Sequence, residues 1–390
     1  MALTSQQQAI QNQINAFDSN TGTQILLSTL IRAIDAGDVR QGYADSAAFP
    51  TDSAFIGMIG FDDFDSSLRY VGRDLVAHKI DSADIVSAGG GASGPIAYAG
   101  TNVYVYHDDM QKFDMTSSTN AAVVITGPFY PANTISSGGR SSTHGYFAAG
   151  GHPTAIDTIM SFPFAADDAI SDTTANLTAA KNGGQGVPIG DGLFNYVAGG
   201  KTPAGSINVI EKYPTTAAVD ATDVGDLTDQ RYSAGGGSSS THGYRAGGTN
   251  PGSQATNIID KWPFATDENA TDVGDLTQQR GWGAAASSTT YGYYAGGFHW
   301  IPPSGRYNII DKYAFASDGN ATDVGDLTGT DHNNSGGSSS THGFRLGGSA
   351  GTPTGSTDIE KFAFASDGNA TDVADLTENV KNAGSTHDTA

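Results

Sequence analysis

The chain repeats itself. A Gly-Gly doublet falls at Gly150-Gly151, Gly199-Gly200, Gly247-Gly248, Gly296-Gly297 and Gly347-Gly348, in steps of 49, 48, 49 and 51 residues. A weaker copy, "IAYAG", ends at Gly100, 51 residues before Gly151. A fixed period of this size constrains the fold more than any single motif. Each repeat must be one supersecondary unit that buries its apolar face only against its neighbours. Six units are expected, over about 84–380.

Every unit has the same internal order. A small-residue stretch such as "SAGGGSSS" leads through a turn to "HGYRAGG". A variable loop follows, then "NIIDKWPF" (257–264), "NIIDKYAF" (308–315) or "TDIEKFAF" (357–364). "ATDVGDLT" (221–228, 270–277, 321–328) or "ATDVADLT" (370–377) closes the unit. These runs are short, and several alternate apolar with polar residues, so they read as four strands per unit joined by tight turns. Four-stranded units of this length predict an all-β fold, a β-propeller with one blade per unit. The small residues suit an innermost strand near a crowded axis. The doublet suits a turn with positive φ and close approach between blades. Phe162, Tyr213, Trp262, Tyr313 and Phe362, with Phe164, Phe264, Phe315 and Phe364 two places on, are the expected inter-blade core.

The doublet after a short apolar strand, followed by "I-[DE]-K-[YWF]", resembles the kelch-type propeller family. "ATDVGDLT" stands where kelch repeats carry a different aromatic spacing. The last residues, "KNAGSTHDTA", repeat the start of a unit and stop. A ring can be closed by building one blade from both termini. The C-terminal run would then supply an innermost strand, and "AFIGMIGFDDFDSSLRYVGRDLVAHKI" (54–80) the rest. That composite gives seven blades; the alternative is six with a free tail. "GMIGFDDFDSSLRYVGRDL" is similar to a small β module of phage tail-fibre and other virion proteins. Tandem "ATDVGDLT" units resemble virion proteins of marine phages, cyanophages included. The resemblance implies a structural virion protein displayed outward on tail or capsid, as a tail fibre, appendage or decoration. It would be present as a homo-oligomer or in many copies. The alternative is a kelch-like protein- or carbohydrate-binding module without a virion role.

Three regions are expected. Residues 1–50 form a helical docking arm to other virion proteins, 51–83 a small β module that can join the closing blade, and 84–390 the propeller. In the arm, Ile10, Ile14 and Phe17, then Ile25, Leu26, Leu30, Ile31 and Ile34, line apolar stripes, and Gly37 is a plausible stop. The N-terminus lacks the basic and apolar regions of a secretory signal.

Composition narrows the partners. There are 19 Lys+Arg against 41 Asp+Glu, a formal charge of −22, which repels nucleic-acid phosphates and anionic lipid. No run approaches the roughly 20 apolar residues of a membrane span, so no membrane insertion is expected. Cysteine is absent, which removes disulfides and thiolate chemistry.

Candidate sites are few. "DENATDVGD" (267–275) and "DGNATDVGD" (318–326, nearly matched at 367–375) offer oxygen ligands for calcium at Asp267, Asn269, Asp318, Asn320, Asp367 and Asn369. Their spacing departs from an EF-hand, and Asx-rich turns use the same residues. His144, His242, His342 and His387 recur after "ST" and read as turn residues, with a metal cluster as the alternative. "GGQGVPIG" (183–190) lacks the Lys-Ser/Thr of a phosphate loop. No isolated carboxylate pair or other catalytic constellation interrupts the repeat, so no enzyme activity is expected. The loop "GGFHWIPPSGRYN" (296–308) carries Phe298, His299 and Trp300, a candidate contact for host-surface glycan or protein.

Overall fold

The structure is a computed structural model. It describes residues 40–43, 59–62, 67–71, 77–79, 101–107, 109–125, 137–151, 154–166, 170–182, 188–300, 304–351 and 354–388. The chain divides into two compact units, Met1–Gly94 and Pro95–Ala390. Every helix or strand among the described residues is a strand. The helical stripes expected in the arm, from Ile10 to Ile34, lie outside them. In the first unit Arg40–Tyr43, Ile59–Asp62, Ser67–Val71 and Ala77–Lys79 form one sheet in that order, the first pair parallel.

The second unit has a propeller-like arrangement of six blades. Blade 2 is Ser137–Arg140, His144–Ala148, Ile156–Pro163 and Ser171–Lys181. Blade 4 is Gly235–Ser238, His242–Ala246, Ile258–Pro263 and Thr271–Asp275. Blade 5 is Ala284–Ser287, Tyr291–Ala295, Ile309–Ala314 and Thr322–Asp326. Blade 6 is Ser335–Ser338, His342–Leu346, Ser356–Ala363 and Thr371–Val380. All pair antiparallel, inner to outer, as the repeat grammar predicts. Blade 3 has three full strands, Phe194–Thr202, Gly205–Pro214 and Thr222–Asp226. Its inner edge is a lone bridge from Gly190 to Asn195, where Pro188 cannot donate to a ladder.

Blade 1 corrects the expected closure. Its inner strand is Gly384–His387, drawn from the C-terminus as anticipated. Its partners, however, are Asn102–Tyr106, Met110–Asp114 and Ala122–Ile125. The 54–80 strands pair among themselves and with Arg40–Tyr43 instead. The ring therefore has six blades, not seven, and the tail is not free. The degenerate sixth unit was a blade lacking its own inner strand. Asn102 and Asp388 pin the closure: the Asn102 backbone N–H and Nδ2 donate to the two Asp388 carboxylate oxygens at 2.8 and 2.7 Å.

Aromatic packing unites neighbouring blades. Each second strand supplies a ring that meets an aromatic in, or just after, the third strand of the following blade. The pairs are Tyr104–Phe164 (5.4 Å), Tyr146–Tyr213 (6.1 Å), Tyr196–Phe264 (4.9 Å), Tyr244–Phe315 (4.6 Å), Tyr293–Phe364 (4.9 Å) and Phe344–Phe113 (5.9 Å). The last pair spans the closure, so one packing rule covers all six interfaces. Near the axis, serines hand a hydrogen bond from blade to blade. Gly190 N–H donates to Ser238 Oγ (3.1 Å), and Ser287 N–H to Ser338 Oγ (2.9 Å). A Cβ on Gly138 or Gly336 would collide with the carbonyl of Ser385 or Ala285, which is why the inner strands are built from glycine, alanine and serine.

A second layer of contacts is polar and buried. The acid of "I-[DE]-K" points into the interface and meets a cation at the end of the preceding blade's last strand or on the connection after it. Arg231 pairs with Asp260 at 2.7 Å, Arg280 with Asp311 at 3.1 Å, and Lys181 with Glu211, all fully covered. The same acids hold the preceding blade's last strand: Thr228 donates from N–H and Oγ1 to Asp260, and Thr277 likewise to Asp311. Burial pushes the Lys181 ammonium down, and Glu211 opposes that shift. Between blades 5 and 6 the connection carries Asp331, and the cation comes from the second strand: Arg345 meets both Glu360 and Asp331. At the closure, Gln111 and Val380 occupy the two places, and Thr377 N–H donates to Gln111 Oε1 at 2.7 Å. The doublet positions this layer. Gly247 (φ 62°) and Gly248 (φ 113°) lie against the Arg280 carbonyl, and Gly248 N–H donates to it at 3.0 Å.

Candidate functional site

The antiparallel order puts the Gly-Gly turns and the connections between blades at one end of the ring. The "STH" turns and the Asx-rich loops lie at the other.

At the Asx-rich end, the six candidate calcium ligands already have protein partners. Asp267, Asp318 and Asp367 pair with Lys212, Lys261 and Lys312 of the preceding blade at 2.5, 2.9 and 2.5 Å. The Oδ1 atoms of Asn269, Asn320 and Asn369 accept from the N–H of Asp226, Asp275 and Asp326 at 3.0–3.1 Å. These loops thus act as clamps between blades. Among the described residues no group of three or more His, Asp or Glu converges as a metal site. His144, His242 and His342 each begin a second strand, with Nδ1 2.8 Å from the preceding threonine Oγ1. His387 is not their equivalent: it ends the inner strand of blade 1, fully buried.

The doublet end carries the aromatic loop. Phe298–His299 pairs with Gly305–Arg306 as a two-residue ribbon that stands out from blade 5. Phe298 is half-buried, and its backbone exchanges hydrogen bonds with Gly281 at 2.8 and 3.0 Å. Trp300 is 53% exposed, more than any other aromatic among the described residues. Its ring meets Phe298 edge-on at 4.6 Å. His299 is partly covered and pairs with Gly305. The Arg306 guanidinium lies 5.9 Å from the Phe298 ring. On the other side His332 lies 5.2 Å from Phe298, with Nδ1 2.7 Å from the Ser349 carbonyl. Burial pushes the His332 imidazole down, the Ser349 hydrogen bond opposes this, and Arg306 and Lys381 push it further down.

Two residues that sequence reasoning passed over extend this surface. Tyr232 and Trp282 lie on successive connections between blades, ring to ring at 5.6 Å and 89°. The Lys201 ammonium stands 5.1 Å from the Tyr232 ring centre. The signal was present in the repeat: Trp282 stands where the other connections carry Ser233, Asn333 and Asn382. An exposed, braced tryptophan beside a second aromatic and an arginine can stack on the C–H face of a sugar ring and donate hydrogen bonds to its substituents.

No protein-family model matches this chain, and no curated protein matches it.

Proposed function

We propose that this chain is a structural phage virion protein that displays its propeller outward and contacts a host-surface glycan through Phe298, His299 and Trp300. The virion part of the reading is supported by the tandem "ATDVGDLT" units and the 54–80 stretch, both similar in sequence to virion proteins. The glycan part is carried by one observation: Trp300 is half exposed, with its neighbour Phe298 held to blade 5 by backbone hydrogen bonds. An indole half in solvent forgoes part of the roughly 1.5–3 kcal/mol that burying a large apolar side chain brings, and it stays open to contact. Residues 1–50 serve as the attachment arm to other virion proteins in this reading. Tail or capsid position follows from the particle and is read there.

Two measurements test it. Mass spectrometry of purified particles should find the chain in stoichiometric, multi-copy amounts, and its absence would end the virion reading. Glycan-array binding by the wild type should be lost in Trp300→Ala, and equal binding by both would remove this loop as the contact.

A further inference from the structure

We infer that the ligand is an acidic polysaccharide, and that it runs from Trp300 and Phe298 across the connections between blades to Trp282, Tyr232 and Lys201. This rests on the glycan reading above and extends it to a ligand class and a second subsite.

Trp282 is the first ground. Ser233, Trp282, Asn333 and Asn382 occupy the same place on four connections, and all have left-handed backbone, φ 53°, 66°, 60° and 57°. Asparagine tolerates that conformation; a bulky aromatic there is an outlier with a steric cost. The fold does not require the indole, since serine and asparagine serve in its place. Its Nε1 is covered and has no hydrogen-bond acceptor among the described residues, a further cost of placing an indole there. A strained aromatic at a place where serine and asparagine suffice points to function. The subsite is also continuous with the aromatic loop, because Gly281, next to Trp282, is hydrogen-bonded to Phe298 through both backbone groups.

Charge is the second ground. The chain carries −22 overall, yet two cations lie against the rings of this strip: Lys201 5.1 Å from Tyr232 and Arg306 5.9 Å from Phe298. A neutral sugar needs only the aromatic faces. Cations beside them fit carboxylate or sulfate substituents on a stacked chain. The distant acidic surface is screened beyond about 8 Å at physiological salt, whereas direct pairs are not.

The test is affinity electrophoresis of the full chain in gels containing alginate (uronate), chondroitin sulfate (sulfate with uronate) or dextran (neutral). Alginate or chondroitin sulfate should retard the wild type, and dextran should not; the two acidic gels tell uronate from sulfate recognition. Trp282→Ser, which copies the neighbouring connection, should weaken retardation about five- to tenfold while the melting temperature stays level or rises. Lys201→Ala should weaken it and flatten its salt dependence. Equal retardation in dextran overturns the charge inference and leaves the glycan reading intact. Unchanged binding by Trp282→Ser overturns the second subsite. No retardation in any gel overturns the inference, and a blank glycan array beside it takes down the glycan reading as well.

Discussion

Arg231 and Asp260 meet at 2.7 Å with neither side chain reaching solvent, one on the connection leaving blade 3 and the other on the third strand of blade 4. Removing one member of such a pair strands the other charge in the interior. Asp260→Ala should therefore cost about 3–5 kcal/mol in urea unfolding. The closure shows the repair: Gln111 and Val380 fill the same two places without charge. The double variant Asp260→Gln with Arg231→Val should recover most of the loss, since neutral replacement of a whole buried pair is often without cost. A double variant as unstable as the single one would show that the pair itself, rather than its balance, holds the blades.

A glycine near the end of "ATDVGDLT" sets a tighter limit. A Cβ on Gly225 would come 2.5 Å from the Glu268 carbonyl of the following blade, and Gly325 would strike Gly368 in the same way. Gly325→Ala should destabilise by roughly 1–3 kcal/mol, as overpacking does. Ala374 occupies this place in blade 6, where the facing loop is that of blade 1, around Asn120. The reverse change Ala374→Gly should cost no more than about 1 kcal/mol. Comparable melting temperatures for the two variants would contradict the steric account.

Acid should loosen the closing strand. His387 is fully buried, and desolvation, aided by Arg140, pushes its imidazole well below the ordinary 6.5. The folded state therefore binds fewer protons than the unfolded one below about pH 6.5. Stability is complete above that pH and falls as the pH drops through it, by at most about 1.4 kcal/mol per pH unit for one group. Thermal melts between pH 7 and pH 5 should show a shallower decline in His387→Ser, which copies Ser238 at the matching place. Parallel declines would assign the acid sensitivity to other groups.

The C-terminal strand should be indispensable. Deleting residues 384–390 removes four buried residues and leaves Asn102–Tyr106 as an open edge. The loss is on the order of 5 kcal/mol, from about 1 kcal/mol per ladder hydrogen bond plus the emptied space. Size-exclusion chromatography should show association through the bare edge, and a "KNAGSTHDTA" peptide added in trans should reduce it.

The repeat made blades 2 to 6 legible, because strand, turn and aromatic positions recur in register and the aromatics have no use outside an interface. The closure was half legible. "GSTH" looked like the beginning of a unit, but its alignment with "SSTHGY" misled: His387 sits where Ser238 does, at the end of an inner strand, not where His242 does at the start of a second strand. The buried ion pairs were not legible, since nothing in "I-[DE]-K" says which of Asp260 and Lys261 faces inward. The ladder separates them, Asp260 turning to Arg231 inside and Lys261 to Asp318 outside. The Asx loops were ambiguous in sequence because a clamp between blades and a cation loop want the same oxygens. Trp282 was overlooked because its significance is conformational, a positive φ that no spacing rule reveals.

Gln111 and Val380 bear on how the ring comes to shut. Asn102 and Asp388 are 286 positions apart, so their meeting closes a far longer loop than that of Arg231 and Asp260, 29 apart, and costs more chain entropy. Where Arg231 and Asp260 would stand, that seam has two neutral side chains. Closing the ring therefore desolvates no ion pair at that place, and the buried pairs stand between blades consecutive in the chain, where the loop to be closed is short.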